Sequence, residues 1–270
     1  MDVVELRPGL VIASNDTGIP GYDFDFSTHL QLKHPHDLSG RAVIFRCGAI
    51  VDYAVLDHFC TETGSRPLLS RADHLLASRL DLWYERISDH TIKTVVYREF
   101  PTYDEVAGIL GPTLFIKGVR QTDRHNPALS RVTGRSDYER IREHYARSDI
   151  LHWQDIAIRQ WVPIRKKDNG HGEEYRSFWF AGACIGLGSY WDAEPPAAET
   201  RDRIQALGRT IVELIGLTLI VVDFAVLQDG RLVVIECNDA QESGYSGVSP
   251  RRLWTTLMTT DSQRTLPPAE

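Results

Sequence analysis

Lysine is scarce in this 270-residue chain: of 30 basic side chains only Lys33, Lys93, Lys117, Lys166 and Lys167 are lysines, so each invites a specific role. Cysteine is scarcer still. Cys47, Cys60, Cys184 and Cys237 lie far apart with no C-x-x-C pair, which argues against a disulfide scaffold and for reduced, cytosolic thiols. A long apolar run is missing. The longest, from Leu214 to Val222, is interrupted by Gly216 and Thr218 and stops at Asp223, well short of the ~20 residues of a membrane span. Asp2, Glu5 and Arg7 precede any apolar run, which is not how a signal peptide reads. An excess of positive charge is also missing. With 37 acidic residues the net charge is -7, so a general phosphate-backbone binder is excluded and neither a nucleic acid nor a membrane is expected as a partner. Repeats and low-complexity tracts are absent. What remains is ordinary globular composition, 42% hydrophobic and 25% charged, in a chain long enough for one large domain or two small ones.

The pattern alternates strands and helices. Leu10–Ala13, Ala42–Phe45, Thr94–Tyr97 and Thr113–Gly118 read as strands, and Ala54–Glu62 and Arg71–Ile87 as helices, the second opened by Ser70 with Asp73 at its third position. Phe100–Pro112, flanked by prolines, separates two parts. Val119–Ser136, carrying Arg120, Arg124, His125, Arg131 and Arg135, reads as a long loop. Beyond it follow a helix at Asp137–Ala146, a strand at Ile156–Ile164 broken by Pro163, two strands around Ala181-Gly182, a helix at Glu199–Leu214 and a hairpin at Leu217–Asn238. His34-Pro35-His36 lacks further ligands in pattern and reads as a loop. Such alternation suggests an α/β unit with a partly parallel sheet.

The hairpin carries the chemistry. Asp229-Gly230 between two apolar runs signals a two-residue turn, which sets Gln228 opposite Arg231, Asp223 opposite Glu236, and Asn238 on the same face. Carboxylates directly opposite one another repel, and burial between apolar faces makes them costly. A shared proton, an arginine or a divalent cation must compensate. Two carboxylates and an amide oxygen suit Mg²⁺ with phosphates and water completing its shell; the alternative is an arginine-bridged pair of purely structural meaning.

Here the sequence resembles the ATP-grasp family. Asp223…Glu236-Cys237-Asn238 is similar to that family's D…E-x-N metal motif, and other segments follow in the family's order. Gly64–Ser70 with Arg79 resembles the entry to the first nucleotide-binding cation. Leu114-Phe115-Ile116-Lys117 resembles the strand whose lysine holds the α and β phosphates. Ile158-Arg159-Gln160-Trp161-Val162 resembles the adenine hinge, and Glu174–Phe178 the strand after it. The resemblance covers about residues 60–250 and is nearest to the small bacterial and phage-associated clade with an active-site arginine exchanged for lysine.

The resemblance implies an α/β (α+β) ATP-grasp fold, two α+β subdomains clasping a nucleotide behind a reduced Rossmann-like N-terminal domain. The expected division is 1–90, 91–162, 163–258 and a loose tail at 259–270. It implies ATP and Mg²⁺ as cofactors, with Arg79, Lys117, Gln160, Trp161, Val162 and Glu174 on the nucleotide, Lys117 and Arg176 at the chemistry, and Asp223, Glu236 and Asn238 on the metal. Glu173 is an equally available neighbour of Glu174. The implied reaction joins a carboxylate and an amine through an acyl phosphate; phosphoryl transfer and nucleotide binding without turnover are the alternatives. Many relatives carry an arginine where this chain has Val221, a role that passes to Arg176 or to Lys166 and Lys167, or is absent. No cysteine is required, and Cys237 should face away from the metal. Gln241–Gly247, Asn15–Gly18 and Arg46–Gly48 are candidate walls of an acceptor site. Dimers are common in the family, so a homodimer is possible.

Overall fold

The computed structural model describes residues 1–50, 52–120 and 129–260. The first sheet holds β1 (Asp2–Arg7), β2 (Leu10–Ser14), β3 (Ala42–Arg46) and β4 (Arg66–Pro67) in that spatial order; β1–β2 is antiparallel and the rest parallel. Its strands are apolar throughout because both faces are covered. Val11, Ala13, Val43 and Phe45 meet α2 (Ala54–Thr63), while Leu10, Ile12, Ala42 and Ile44 turn to the other side.

That other side is shared with the third sheet, in which β10 (Ala183–Ser189), β9 (Glu174–Phe180), β11 (Leu219–Val226) and β12 (Leu232–Asn238) lie side by side. Phe178, Phe180, Leu219 and Val221 join Leu10, Ile12 and Ile44 in one core, closed by Phe26 of α1 (Phe26–Leu30) and by Leu253, Trp254 and Leu257 of α8 (Pro250–Thr259). On the opposite face Trp179, Ile220, Val222 and Phe224 pack with Ile204, Ile211 and Ile215 of α7 (Ala198–Ile215) and with Leu80, Trp83 and Ile87. Residues 71–90 thus bury their apolar side on the third sheet. They form α3 (Arg71–Ser78), α4 (Leu80–Trp83) and two short 3₁₀ turns rather than the single helix expected. The break is at Arg79, whose backbone is extended (φ -103°, ψ 118°), where the Leu80 amide leaves the helix to donate to Val119 O at 2.9 Å. The Ser70–Asp73 capping box forms as read.

The middle sheet, β5 (Thr94–Tyr97), β8 (Ile156–Gln160), β6 (Leu114–Gly118) and β7 (Arg131–Val132) in spatial order, is antiparallel and covered on one face only. Leu114, Ile116, Ile156 and Ile158 pack under α5 (Tyr103–Leu110) and α6 (Arg135–Arg147). Period-2 alternation sends Phe115, Lys117 and Arg159 to the other face, which is left for the site.

Several readings are corrected. The supposed separator at 100–112 contains α5, opened by a Thr102–Glu105 capping box, a legible S/T-x-x-E signal. The loop read at 119–136 contains β7 and the start of α6, and its Arg124 and His125 lie outside the described residues, as does 261–270 of the expected tail. The strand from Ile156 ends at Gln160, before Pro163. β1 and α8 had no counterpart in the pattern reading, although Ser249 with Pro250 is a helix-start signal. The β9–β10 turn falls at Ala181-Gly182, with φ 49° and 79°, the left-handed pair that a two-residue hairpin requires. Among the described residues no helix is long and apolar enough to cross a membrane.

Helix α7 crosses the third sheet at Gly208, where an added Cβ would stand 2.1 Å from Trp179 Cζ2. We expect Gly208→Ala to destabilise by about 1–3 kcal/mol in urea unfolding, although alanine is the better helix former by ~1 kcal/mol; a neutral or stabilising result would mean that the helix–sheet contact is slack.

Candidate functional site

The bare face of the middle sheet looks across at β12, and the cleft between them measures about 320 Å³. Its apolar walls are Ile92, Phe115, Trp161, Val162, Ile164 and Ile235, with Trp191 at 46% exposure. Hydrogen bonds fix the hinge at its far end: the Gln160 amide donates to Lys93 O (2.9 Å) and the Trp161 amide to Thr113 O (3.0 Å). The Arg131 guanidinium lies over the Trp161 ring at 4.5 Å, and Phe115 sits 6.3 Å from that ring. The result is a slot suited to a flat, apolar-faced group.

The polar end is built by the hairpin. Asp223 is opposite Glu236, as expected, but by a different route. The turn is a three-residue loop, Gln228-Asp229-Gly230, with Gly230 left-handed at φ 84° and the Leu227 amide bonded to Arg231 O. Pairing therefore starts one step off, with Phe224 opposite Val234, and Ile235 is an extra residue that restores the register at Glu236. Arg159 holds this bulge. Its Nη1 donates to Ile235 O at 2.7 Å, Nη2 to Thr91 Oγ1 at 3.0 Å and Nε to Thr94 Oγ1 at 3.2 Å. Burial pulls its guanidinium down to about 10, opposed by the Glu236 carboxylate.

Each hairpin carboxylate has its own cation. The Lys117 ammonium donates to Glu236 Oε1, both side chains buried. Arg176, the Cα partner of Asp223 on β9, holds that carboxylate with two bonds, Nε to Oδ1 at 2.9 Å and Nη2 to Oδ2 at 2.7 Å, and gives Nη1 to Gly244 O at 2.9 Å. The Asn238 amide is 3.5 Å from Asp223 Oδ2. In the protein alone the arginine-bridged pair is therefore what stands at Asp223. Among the described residues no three His, Cys, Asp or Glu side chains gather as a metal cage. The donor set nonetheless fits Mg²⁺ arriving with phosphate: two carboxylates and an amide share one face, and Lys117 and Arg176 are cations that phosphate oxygens can claim. Lys117, Arg159 and Arg176 outnumber Asp223 and Glu236 by one charge, which favours an anion over a bare cation.

Of the residues singled out from sequence, Lys117, Gln160, Trp161, Val162, Glu174 and Glu236 line this one cleft. Asp223, Arg176 and Asn238 adjoin it through the hairpin. Glu173 is otherwise engaged, held by Arg165 and by Tyr175 Oη at 2.9 Å, which keeps its carboxyl below the usual range; Glu174 is the one at the cleft. Arg79 is elsewhere, paired with Asp81 (2.8 Å) and Asp155 (3.4 Å), because the helix break turns it toward those carboxylates. Lys166 is exposed and Lys167 pairs with Asp192 at 3.0 Å. Val221 is fully buried in the core shared by two sheets. Cys237 faces the opposite core, where burial pushes its thiol up. Pattern reading missed the part played by Arg159; its signal was an arginine on the same strand face as Ala157 in an otherwise apolar strand.

The three loops expected around an acceptor site do meet. Arg46 Nη1 donates to Ala240 O and Ser243 O, both at 2.7 Å; the Asn15 amide bonds Arg46 O at 3.2 Å; and the Tyr245 amide bonds Gly21 O at 2.9 Å.

Two sheets closing on a slot with cations and carboxylates at one end define a class, the α+β domains that clasp a ligand between lobes. The chain belongs to a particular one of these: the ATP-grasp domain of the R-to-K clade, family 3, matches residues 107–257, more than half of its length. Among solved structures it is similar to the RimK domain ATP-grasp protein of Sphaerobacter thermophilus, at 19% identity over 80% of this chain and 78% of that one, TM-score 0.57. It is similar to the D-alanine-D-alanine ligase of Coxiella burnetii at 14% identity, with 80% and 67% of the chains covered and TM-score 0.58. A third is the N5-carboxyaminoimidazole synthase of Aspergillus clavatus in complex with ADP and a ribonucleotide, at 16% identity, 76% of this chain and 54% of that one, TM-score 0.54. These likenesses establish the fold. No curated protein is significantly similar in sequence.

Asp223 is only 1% exposed, so removing its cation leaves an unpaired buried charge. We expect Arg176→Met to cost about 3–5 kcal/mol in chemical unfolding, and most of that to return when Asp223→Asn is added. Additive losses in the double variant would show that the pair is not coupled.

Proposed function

We propose that this protein is an ATP-dependent carboxylate–amine ligase, working with Mg²⁺ through an acyl-phosphate intermediate and releasing ADP and phosphate. The observation that carries this reading is the end-to-end order of the cleft: an apolar slot, then Lys117 on Glu236, then Arg176 on Asp223. Such a layout takes a base, a ribose and a chain of phosphates in sequence. The solved relatives include a ligase and a protein with ADP bound, which supports the same direction.

In this reading Trp161, Phe115 and Val162 shield the base from water, and Glu174 accepts the ribose hydroxyls. Phosphate oxygens take over the cations: Lys117 leaves Glu236 and Arg176 loosens from Asp223, so charge is exchanged rather than created. The freed Asp223, Glu236 and Asn238 would hold Mg²⁺, which neutralises phosphate charge when bound. Arg176 supplies, from the neighbouring strand, the guanidinium that other members place at the position of Val221. The chain's remaining task is to align a substrate carboxylate with the terminal phosphate and keep water out. A cytosolic setting goes with four free thiols. Oligomeric state is read by light scattering, where the proposal is a homodimer.

Because metal and nucleotide each need the other to replace the ion pairs, they should bind together. We expect a thermal shift with ATP and Mg²⁺ combined, equivalent to ~2.7 kcal/mol at 100 times Kd, little with either alone, and none with Glu236→Ala. No shift in folded wild type would refute the nucleotide site; a shift without ADP release for any carboxylate and amine would favour binding without turnover, and a stable phosphorylated product would favour phosphoryl transfer.

A further inference from the structure

Strand β6 orders the site: Phe115 is at the slot, Lys117 follows, and Arg120 lies about 10 Å beyond Lys117 at ~3.3 Å per extended residue. On the facing side the chain leaves β12 at Asn238 and runs into Asp239 and Glu242. A second titratable group therefore stands past the phosphate end, away from Trp161. His74 Nδ1 is 2.7 Å from Asp239 Oδ2, and Arg120 Nη2 is 3.2 Å from His74 Nε2. Arginine can only donate, so Nε2 accepts and the ring proton sits on Nδ1, toward Asp239.

The two carboxylates differ. Asp239 is satisfied by His74, by the Gln241 amide at 2.8 Å and by Gln241 Nε2 at 3.2 Å. Glu242 is anchored at Oε2 by the Ile50 amide (2.9 Å), but among the described residues the nearest hydrogen-bond donor to its Oε1 is Ser78 Oγ at 3.4 Å, with Arg120 Nη2 at 3.8 Å. Burial raises its carboxyl, and Asp239 adds to the rise while His74 and Arg120 oppose it. A mostly buried carboxylate oxygen without a close donor is expensive in a purely structural role. Asp239 and Glu242 against Arg120 also leave this end negative, whereas the phosphate end is positive.

We propose, resting on the ligase reading, that Glu242 Oε1 receives the ammonium of the acceptor amine and takes its proton, with His74 and Asp239 as positioning residues. The substrate class is a cationic amine. The ammonium gives one proton to the Glu242 carboxylate. The freed nitrogen lone pair forms the C–N bond at the acyl carbon, the C–O bond to the phosphoryl group breaks with its electrons leaving on phosphate, and the second amine proton goes to that phosphate. The raised carboxyl narrows the gap between base and ammonium.

The test compares wild type with Glu242→Gln, which keeps an oxygen for the Ile50 amide. Each is given ATP, Mg²⁺ and a panel of amino-acid, hydroxy-acid and dipeptide carboxylates, with ammonium chloride or hydroxylamine as nucleophile. Hydroxylamine is largely uncharged at pH 8 and needs no base. We expect the variant to lose amide formation from ammonium roughly 100-fold more than hydroxamate formation. Its melting temperature should match or exceed that of wild type at pH 8. That advantage should shrink toward the ordinary glutamate range, because wild type is penalised only once its buried carboxyl ionises. Equal slowing with both nucleophiles in an active wild type overturns the Glu242 assignment alone. A wild type that releases no ADP with any carboxylate overturns the ligase reading and this inference with it.

Discussion

Two carboxylates face each other across one rung of a buried hairpin, and the site depends on keeping both charged. Asp223 and Glu236 repel at that separation, and apolar strands surround them. The fold answers with cations from two different directions, Arg176 from the adjacent strand and Lys117 from another sheet. The second contact makes lobe packing and site electrostatics one problem, because it draws the middle sheet onto the third.

Arg159 does the complementary job in the backbone. The register at the site is reached only after an extra residue, Ile235, and the carbonyl at that irregularity is taken by a buried guanidinium from the middle sheet. The same side chain bonds Thr91 and Thr94, so the bulge, the hinge strand and the edge of the middle sheet are tied at one point. Bulges next to sites re-aim side chains, and here the outcome is that Glu236 returns to the face of Asp223.

The third sheet carries this arrangement because both its faces are packed. The face bearing Val221, Asp223 and Asn238 runs into the core shared with the first sheet, and the opposite face buries Cys237 among α3, α4 and α7. The middle sheet is packed on one side only, and its open side is where the slot forms. Charge is then sorted along one strand, positive beside the slot and negative past Arg120.

Alternation and turn chemistry made much of this legible. Strand β5, the Ser70 cap, the Ala181-Gly182 turn and the pairing of Asp223 with Glu236 follow from local patterns that burial reinforces. The last was right by compensation, since a three-residue turn and a bulge offset each other, and neither is visible in an apolar run. Helix α5 and helix α8 carried readable caps, whereas the break at Arg79 exists because a helix meets the end of β6, a contact no local pattern records. By itself the sequence determined which residues are chemical, the carboxylates of the hairpin, Lys117, Arg176 and the hinge, because their types and order need no third dimension. Only the tertiary structure decided which of them share a cleft, that Glu174 rather than Glu173 reaches it, that Arg79 does not, and that Arg159 and Glu242 stand beside them. Those outcomes turn on pairings between residues far apart in the chain, set by how sheets stack and where burial leaves a charge in need of a partner.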